Sequence, residues 1–314
     1  MVNRNTGENV AMKSKKGIFF TLTVLVLVSL FFITYTFYTE ITKADSSRQR
    51  VETMNNFLLS IEQDLERQVY IAGFRTIFLL EDKIAETGTY ISNPEAAFEE
   101  SFFNGTLYGE PQPIMQGATF NDIVLAINDK ARKMNVNVTM ENPSLDFAQE
   151  DPWHVTATLT TSFNMRDANG LAAWNKTQII KARISVENFE DPLYIISTNS
   201  IVTNQINKTV YQPFVEGTDV SNLTKHALGS YYVASPLAPS FLDRLQGLSQ
   251  ANPQGIESLV NLQELPSPVQ DKTAVDYIYF STQNPTSFHI QGMPSWFRLD
   301  QSHLSLYNAT NLTI

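Results

Sequence analysis

The residues best suited to chemistry in this chain of 314 residues are its four histidines. None of them, His154, His226, His289 or His303, stands in H-E-x-x-H or another short zinc-binding pattern. The sequence also contains no G-x-S-x-G nucleophile elbow, Walker loop or dinucleotide-binding glycine pattern. The lack of cysteine excludes disulfides, Cys-zinc sites, Fe–S clusters and thiol catalysis. We therefore expect no enzyme activity, metal or cofactor, and interpret the histidines as surface or capped side chains.

Two groups of acidic residues could bind a cation. Asp167-Ala168-Asn169-Gly170 has the residue types of a calcium loop but lacks the bidentate glutamate that follows in such loops. We interpret it as a hairpin turn, because Asn and Gly accept positive φ. A second group flanks the same predicted hairpin and could bind Ca²⁺ or supply a carboxylate pair, although solvated charge is the interpretation we favour. Its members are Glu150, Asp151, Glu187, Glu190 and Asp191.

Aromatic residues offer a third kind of site, since their rings stack on sugars. Trp153, Trp174 and Trp296 are the candidates, and residues 292–298 have the composition of a binding loop. Aromatic side chains at such positions also fill cores and cover sheets, and we favour that interpretation.

The element that must position all of these residues begins with a membrane-like segment. Ile18 to Tyr38 is a run of 21 residues without a charge. As a helix it is roughly 30 Å long, about the thickness of the hydrocarbon core of a bilayer. Its four threonines and one serine can hydrogen-bond to the preceding turn. A cleaved secretory signal would have a shorter apolar run and a small-x-small site after it, so we predict a retained transmembrane helix.

The distribution of charge predicts the orientation of this helix. Residues 1–38 carry four Lys/Arg and one Glu, net +3, and the remainder carries 18 Lys/Arg and 31 Asp/Glu, net -13. Lys13, Lys15 and Lys16 directly precede the apolar run, so the positive-inside rule places the N-terminus in the cytoplasm and residues 39–314 outside. The whole-chain charge of -10 disfavours a nucleic-acid partner. Seven N-x-Ser/Thr sequons, candidate N-glycosylation sites, lie in the predicted external part: Asn104, Asn137, Asn175, Asn207, Asn222, Asn308 and Asn311.

Lys15-Lys16-Gly17 followed by Ile18-Phe19-Phe20-Thr21-Leu22 resembles the class III, or prepilin-type, signal of type IV pilin-like proteins. The resemblance covers about residues 12–40. It implies that prepilin peptidase cuts between Gly17 and Ile18, and that the apolar helix remains as an anchor or filament core beside other pilin-like subunits. Leu22 stands where bacterial major pilins carry glutamate, an acid that archaeal pilin-like proteins often lack, so the resemblance is to the archaeal type IV pilin-like proteins. Initiation at Met12 would give the short leader MKSKKG.

The pattern after the membrane segment predicts a helical stalk over residues 39–88. One face repeats apolar residues at three- and four-residue steps: Val51, Met54, Leu58, Ile61, Leu65, Val69 and Ala72. This seam can pack on the protein's own head or on partner helices, and we favour self-packing. The proline and glycine content of residues 88–118 predicts a loop region.

Residues 89–314 predict an external α+β head. Thr119 and Asp122 predict the start of a helix whose apolar face runs from Phe120 to Met134. Alternation with a period of two over 154–165 and 180–186 predicts an antiparallel hairpin. Further expected elements are strands and loops over 192–240, a short helix capped by Ser240, another at 256–262, a strand at 275–280 and its partner at 287–290.

Together these patterns predict a single-pass surface protein with a cytoplasmic leader (1–17), a transmembrane helix (18–38), a stalk (39–88) and a head (89–314). We expect a pilin-like structural or interaction subunit, whose partners are the lipid bilayer, prepilin peptidase and other pilin-like subunits. A membrane-tethered module that binds glycans or ions is the alternative. A tethered hydrolase is a third hypothesis, which the missing catalytic motifs disfavour.

Overall fold

The computed structural model describes residues 8–314, with side chains from Gly17 onward. The chain divides into two compact units. The first contains the chain up to Ser60 together with Arg166–Ala173, and the second contains Ile61–Met165 and Trp174–Ile314. One long helix, several short helices and antiparallel strand pairs make up the described residues, so the predicted α+β class is confirmed.

The predicted membrane helix and stalk are one continuous helix, α1, from Glu8 to Thr87. It ends as predicted at Gly88, which adopts φ 64° and donates a backbone hydrogen bond to the Ile84 carbonyl at 2.8 Å. The predicted seam is buried from Met54 to Ala72, whereas Val51 is 42% exposed and does not belong to it. From Ile61 onward the seam belongs to the core of the second unit, so this part of the stalk packs on its own head.

The loop predicted for residues 88–118 is wrong, because this segment contains a helix and a small strand pair. Asn93 caps the helix by accepting a hydrogen bond from the N–H of Ala96, and Pro94 occupies the first turn, where a missing N–H costs nothing. The elements here are α2 (Pro94–Asn104), β1 (Thr106–Leu107), β2 (Glu110–Pro111) and a 3₁₀ turn (Pro113–Met115).

The helix predicted after Thr119 is confirmed as α3, Phe120–Lys133. The Thr119 hydroxyl accepts from the N–H of Asp122, and the Asp122 carboxylate accepts in return from the N–H of Thr119, which completes a capping box. Ile123 and Ile127 are buried, as the apolar face requires.

A three-stranded sheet follows, with the strand order β3 (Val136–Asp151), β4 (His154–Asp167) and β5 (Ala173–Ser185). The predicted hairpin is β4 and β5, and the apolar residues predicted to face inward over 154–165 and 180–186 are buried as expected. The sequence pattern missed β3. Its buried residues are even-numbered at Val138 and odd-numbered at Leu145, and between them Asn142 adopts φ 50°, so the alternation changes phase within the strand.

The rest of the chain consists of short elements. In chain order they are α4 (Pro192–Ser197), α5 (Ser221–Gly229), β6 (Val233–Ala234), α6 (Phe241–Leu245), β7 (Ile256–Glu257), α7 (Asp276–Tyr279), β8 (Ser287–His289), β9 (Arg298–Asp300), α8 (Gln301–Leu306) and a 3₁₀ turn at Thr310–Leu312. β6 pairs with β7, and β8 pairs with β9, both antiparallel.

Only part of this region follows the predictions. The helix capped by Ser240 is confirmed, with Asp243 completing its capping box. The strand predicted at 275–280 is a helix, the helix predicted at 256–262 includes strand β7, and 287–290 pairs with β9 rather than with 275–280. Residues 192–240 contain two helices as well as strand and loop. A short run that is apolar on every side has no period, so its pattern cannot separate strand from helix.

Candidate functional site

The part of α1 from Ile18 to Tyr38 presents apolar side chains in every direction. The exposed fraction of its large hydrophobic side chains lies between 45% at Val24 and 72% at Phe19. Among the described residues, α1 alone is long and apolar enough to cross a membrane. A continuous apolar surface of this kind needs a cover, either lipid or another apolar surface.

The hydroxyl groups within this segment are satisfied by the helix itself, as the sequence predicted. Each donates to the carbonyl three or four residues earlier, at 2.7–2.9 Å: Thr21, Thr23, Ser29, Thr34 and Thr36. These side chains therefore bring no unpaired donor into an apolar environment, where an unsatisfied polar group costs several kcal/mol, on the order of 4–8 in cyclohexane.

The residues of the predicted cleavage site lie on the same helix. Gly17 and Ile18 are exposed, and a side chain at Gly17 would meet no atom within 4 Å. The side chains of Lys13, Lys15 and Lys16 lie outside the described part of the chain.

Six of the seven sequon asparagines are exposed: Asn104, Asn137, Asn175, Asn207, Asn308 and Asn311. The seventh, Asn222, is half-buried and donates from Nδ2 to the Pro213 carbonyl at 2.9 Å. Asn308 also donates from Nδ2 to the Val215 carbonyl, at 3.2 Å. A glycan at either of these two positions would replace one of the two Nδ2 hydrogens, so only the other would remain to donate that hydrogen bond.

The calcium-like sequence 167–170 is the hairpin turn that we expected. Asp167 accepts hydrogen bonds from the backbone N–H groups of Asn169 and Leu171, at 3.0 and 3.2 Å, and pairs with Arg50 at 2.6 Å. Gly170 adopts φ 72°. Because the carboxylate is occupied by the turn and by an arginine, it has the geometry of a structural residue.

The five acidic residues around the hairpin do not converge on one site, although Glu187 and Glu190 line a common pocket. Glu150 pairs with Lys181 at 3.1 Å, and Asp151 pairs with Arg183 at 2.6 Å and with His154 at 2.9 Å. Asp191 lies in the core against Arg244. Within residues 17–314, no group of three or more His, Asp or Glu side chains is placed to hold a metal ion.

The histidines occupy four different settings. His154 belongs to the surface ion pairs of Asp151, and His289 is half-buried on β8. His226 is fully buried, and burial lowers its pKa to about 3, so the ring is neutral. His303 is also buried, which corrects the prediction of a surface or capped residue for both.

Two adjoining buried polar clusters in the second unit have no signal in the sequence. Arg244, with its side chain fully buried, bonds Asp191 at 2.5 Å and Asp276 at 2.9 Å. Burial disfavours the charged arginine, but the two carboxylates outweigh it and raise the pKa of Arg244. These residues are 32 and 53 positions apart in the chain, so no local motif announces them.

The second cluster surrounds His303. Its Nδ1 lies 2.7 Å from Asp300, and its Nε2 lies 3.2 Å from Glu257, which also accepts a hydrogen bond from the Tyr307 hydroxyl at 2.9 Å. Burial alone would lower the pKa of His303, yet the hydrogen bonds that its ring N–H groups donate to the Asp300 and Glu257 carboxylates raise it to about 10. All of these groups are buried and paired, so the arrangement stabilises the fold rather than presenting groups to a substrate.

The three tryptophans are half-buried, and Trp296 packs against the apolar core. Trp296 packs edge-on against Phe297 with ring centroids 5.9 Å apart, and Lys208 lies over the ring of Trp153 at 5.2 Å.

No family model, curated protein or solved structure matches the chain.

Proposed function

We propose that the protein is a single-pass membrane-anchored surface protein, with a cytoplasmic N-terminus and residues 39–314 outside the cell. The observation that carries this proposal is the uncharged helical segment Ile18–Tyr38, exposed on all sides and with its hydroxyls bonded within the helix. Such a segment is unfavourable in water and favourable in lipid. The net charge of +3 before Thr39 and -13 after Tyr38 supports the orientation.

Within this class, the protein is a pilin-like structural or interaction subunit. α1 runs without a break from the apolar segment into the stalk, which forms the helical stem of the head. In the head, a sheet packs closely on this stem: a Cβ on Gly73 of α1 would lie 2.3 Å from the Ile184 side chain of β5. Pilin-like heads also place a sheet against a helical stem, and this analogy joins the resemblance of the Lys-Lys-Gly leader.

The maturation step is tested by intact mass and N-terminal sequencing of the full chain expressed with an archaeal prepilin peptidase. We expect a mature N-terminus at Ile18, and no cut in Gly17→Val, because the leader resemblance implies a small residue before the cut. Gly7→Val, which changes a glycine elsewhere in the leader, is the matched control and should still be cut. An uncut wild-type chain would refute pilin-type maturation without affecting membrane anchoring.

The orientation is tested by single-cysteine labelling, since the natural chain has no cysteine. A membrane-impermeant maleimide should label Thr218→Cys, at an exposed position of the head, on intact cells. Ser14→Cys in the leader should react only after the cells are lysed. The opposite pattern, or release of the protein by carbonate extraction, would refute the proposal.

A second candidate function is a membrane-tethered binding module. One observation favours it, an aromatic pocket that contains a buried carboxyl group on α1.

A further inference from the structure

An open pocket of about 500 Å³ lies beside the head part of α1. Three aromatic residues of the helix line it at steps of four: Tyr70, Phe74 and Phe78. The four-residue spacing places them on one face of the helix, and they are 41%, 44% and 49% exposed. The head thus leaves a row of aromatic rings uncovered.

Phe189, from the segment after β5, forms the opposite wall. Its ring centroid lies 5.1 Å from that of Phe74, and the Phe74 ring stacks on Tyr70 at 6.4 Å. The faces of such rings carry partial negative charge and attract cations within about 6 Å of the centroid.

Glu81 lines the same pocket, one turn of α1 beyond Phe78. The residue is only 7% exposed, and its Oε1 atom has no hydrogen-bond partner among the described residues. The carboxyl group accepts one hydrogen bond from the backbone of Glu190. A buried polar atom without a hydrogen-bond partner costs about 1–3 kcal/mol, so the unsatisfied Oε1 atom of Glu81 needs an explanation.

The charges around Glu81 are mostly negative. Glu187 and Glu190 line the pocket, and none of the described residues that line it is Lys or Arg. Asp191 lies nearby but is already paired with Arg244. Burial, followed by the charges of Glu190 and Asp191, raises the pKa of Glu81 to about 9, so its carboxyl group is protonated at neutral pH.

We propose that this pocket binds a small alkylammonium cation, whose charge lies against the Glu81 carboxyl group and whose alkyl groups lie against Tyr70, Phe74 and Phe189. The acidic lining disfavours an anion. A purely apolar ligand would cover the free Glu81 oxygen without giving it a partner. An alkylammonium cation neutralises the charge of the Glu81 carboxylate and lies favourably against the aromatic faces, and this holds whether or not the chain is a pilin-like subunit.

The proposal is tested by isothermal titration of the full chain in maltoside micelles. The probe is choline, and its neutral carbon isostere 3,3-dimethylbutan-1-ol is the matched control ligand. We expect choline to bind with a Kd of about 1 mM or tighter and the alcohol to bind at least about tenfold more weakly. Equal affinities, or no heat with choline in that range, would overturn the proposal.

Variants separate a built site from general attraction to an acidic protein. Glu81→Gln has the shape of the protonated residue and should lower choline affinity at least about tenfold, as should Phe74→Leu. Glu99→Gln removes an exposed carboxylate of α2 and should leave the affinity unchanged. Unchanged tryptophan fluorescence would show that each variant is folded.

The pH dependence gives an independent measurement. Choline keeps its charge at all pH values, so its binding must release the Glu81 proton to solvent. Its affinity should rise about tenfold per pH unit between pH 6 and 8, because Glu81 is protonated throughout that range in the free protein. The neighbouring acids Glu187, Glu190 and Asp191 and the cation Arg244 remain in Glu81→Gln, in which we expect a flat profile. The same slope in wild type and Glu81→Gln would overturn the role of Glu81.

Discussion

The ionisation of Glu81 should make the folded protein less stable as the pH rises from 5 to 8. In the unfolded chain the carboxyl has its ordinary pKa of 4.5, and in the folded protein burial raises the pKa to about 9. The folded state therefore binds the proton more tightly. Its contribution to stability is complete below pH 4.5 and is lost as the pH rises through about 9.

The size of the effect follows from the pKa difference. Across the interval between the two pKa values, the free energy of unfolding falls by about 1.4 kcal/mol per pH unit. From pH 5 to pH 8 this amounts to about 4 kcal/mol, a large part of the total stability of an ordinary domain, about 5–15 kcal/mol. With only 7% of the residue exposed, solvent screens little of this effect.

Glu81→Gln removes the titration and keeps the shape of the protonated side chain. The difference in unfolding free energy between the variant and the wild type should therefore grow in favour of the variant by about 4 kcal/mol from pH 5 to pH 8. Urea unfolding followed by tryptophan fluorescence measures it, since all three tryptophans lie in the head. Titration of His303 contributes equally to both proteins and cancels in the difference.

The matched control is Glu99→Gln, which changes an exposed carboxylate and should follow the wild type at every pH. The reasoning is refuted by parallel pH profiles for wild type and Glu81→Gln. That result would mean that Glu81 is ionised in the folded protein and that the pocket is already well solvated or occupied.

Three further predictions concern the packing of the head. Arg244→Leu should destabilise the fold by about 3–5 kcal/mol, because it leaves two buried carboxylates unpaired, whereas Arg183→Leu, with a side chain 59% exposed, should cost less than about 1 kcal/mol in the same urea unfolding assay. Gly73→Ala should lower the free energy of unfolding by about 1–3 kcal/mol, because its Cβ would lie 2.3 Å from the Ile184 Cδ1 atom. Ile184→Val removes that atom and should restore much of the lost stability in the double variant. A double variant no more stable than Gly73→Ala would contradict this contact. The His303 imidazole should stay protonated from pH 6 to 8 in ¹⁵N NMR spectra, since its pKa is raised to about 10. The stabilising contribution of its protonated form is complete below about pH 6.5 and is lost as the pH rises through about 10. A titration midpoint of the imidazole near pH 6.5 would contradict the paired geometry.

Local signals account for the elements that the sequence predicted correctly. Thr119 and Ser240 each begin a helix through a capping box whose two members are three residues apart, and Gly88 ends α1 with a positive φ. The β4–β5 hairpin follows from period two and a turn rich in Asn and Gly. These patterns depend only on neighbouring residues, so one sequence is enough to find them.

The elements that were predicted wrongly lack such a local signal. Residues 276–279 form a helix in which Asp276 contacts Ser258 and Arg244, across 18 and 32 positions of the chain. β3 was missed because its alternation changes phase near Asn142. In both cases tertiary packing determines the conformation, and the residue pattern does not record it.

By itself, the sequence determined the apolar helix with its internally bonded hydroxyls, the opposite charges on its two sides, the lack of thiol chemistry and the α+β class. Each of these properties depends on composition or on residues within one or two turns of each other. Only the tertiary structure decided that Arg244 and His303 would be buried among carboxylates, and that Glu81 would lie in an aromatic pocket. Glu190, whose backbone hydrogen bond and charge both act on the pKa of Glu81, is more than 100 positions away in the chain. Burial and long-range pairing of this kind arise only when distant segments of the chain pack together.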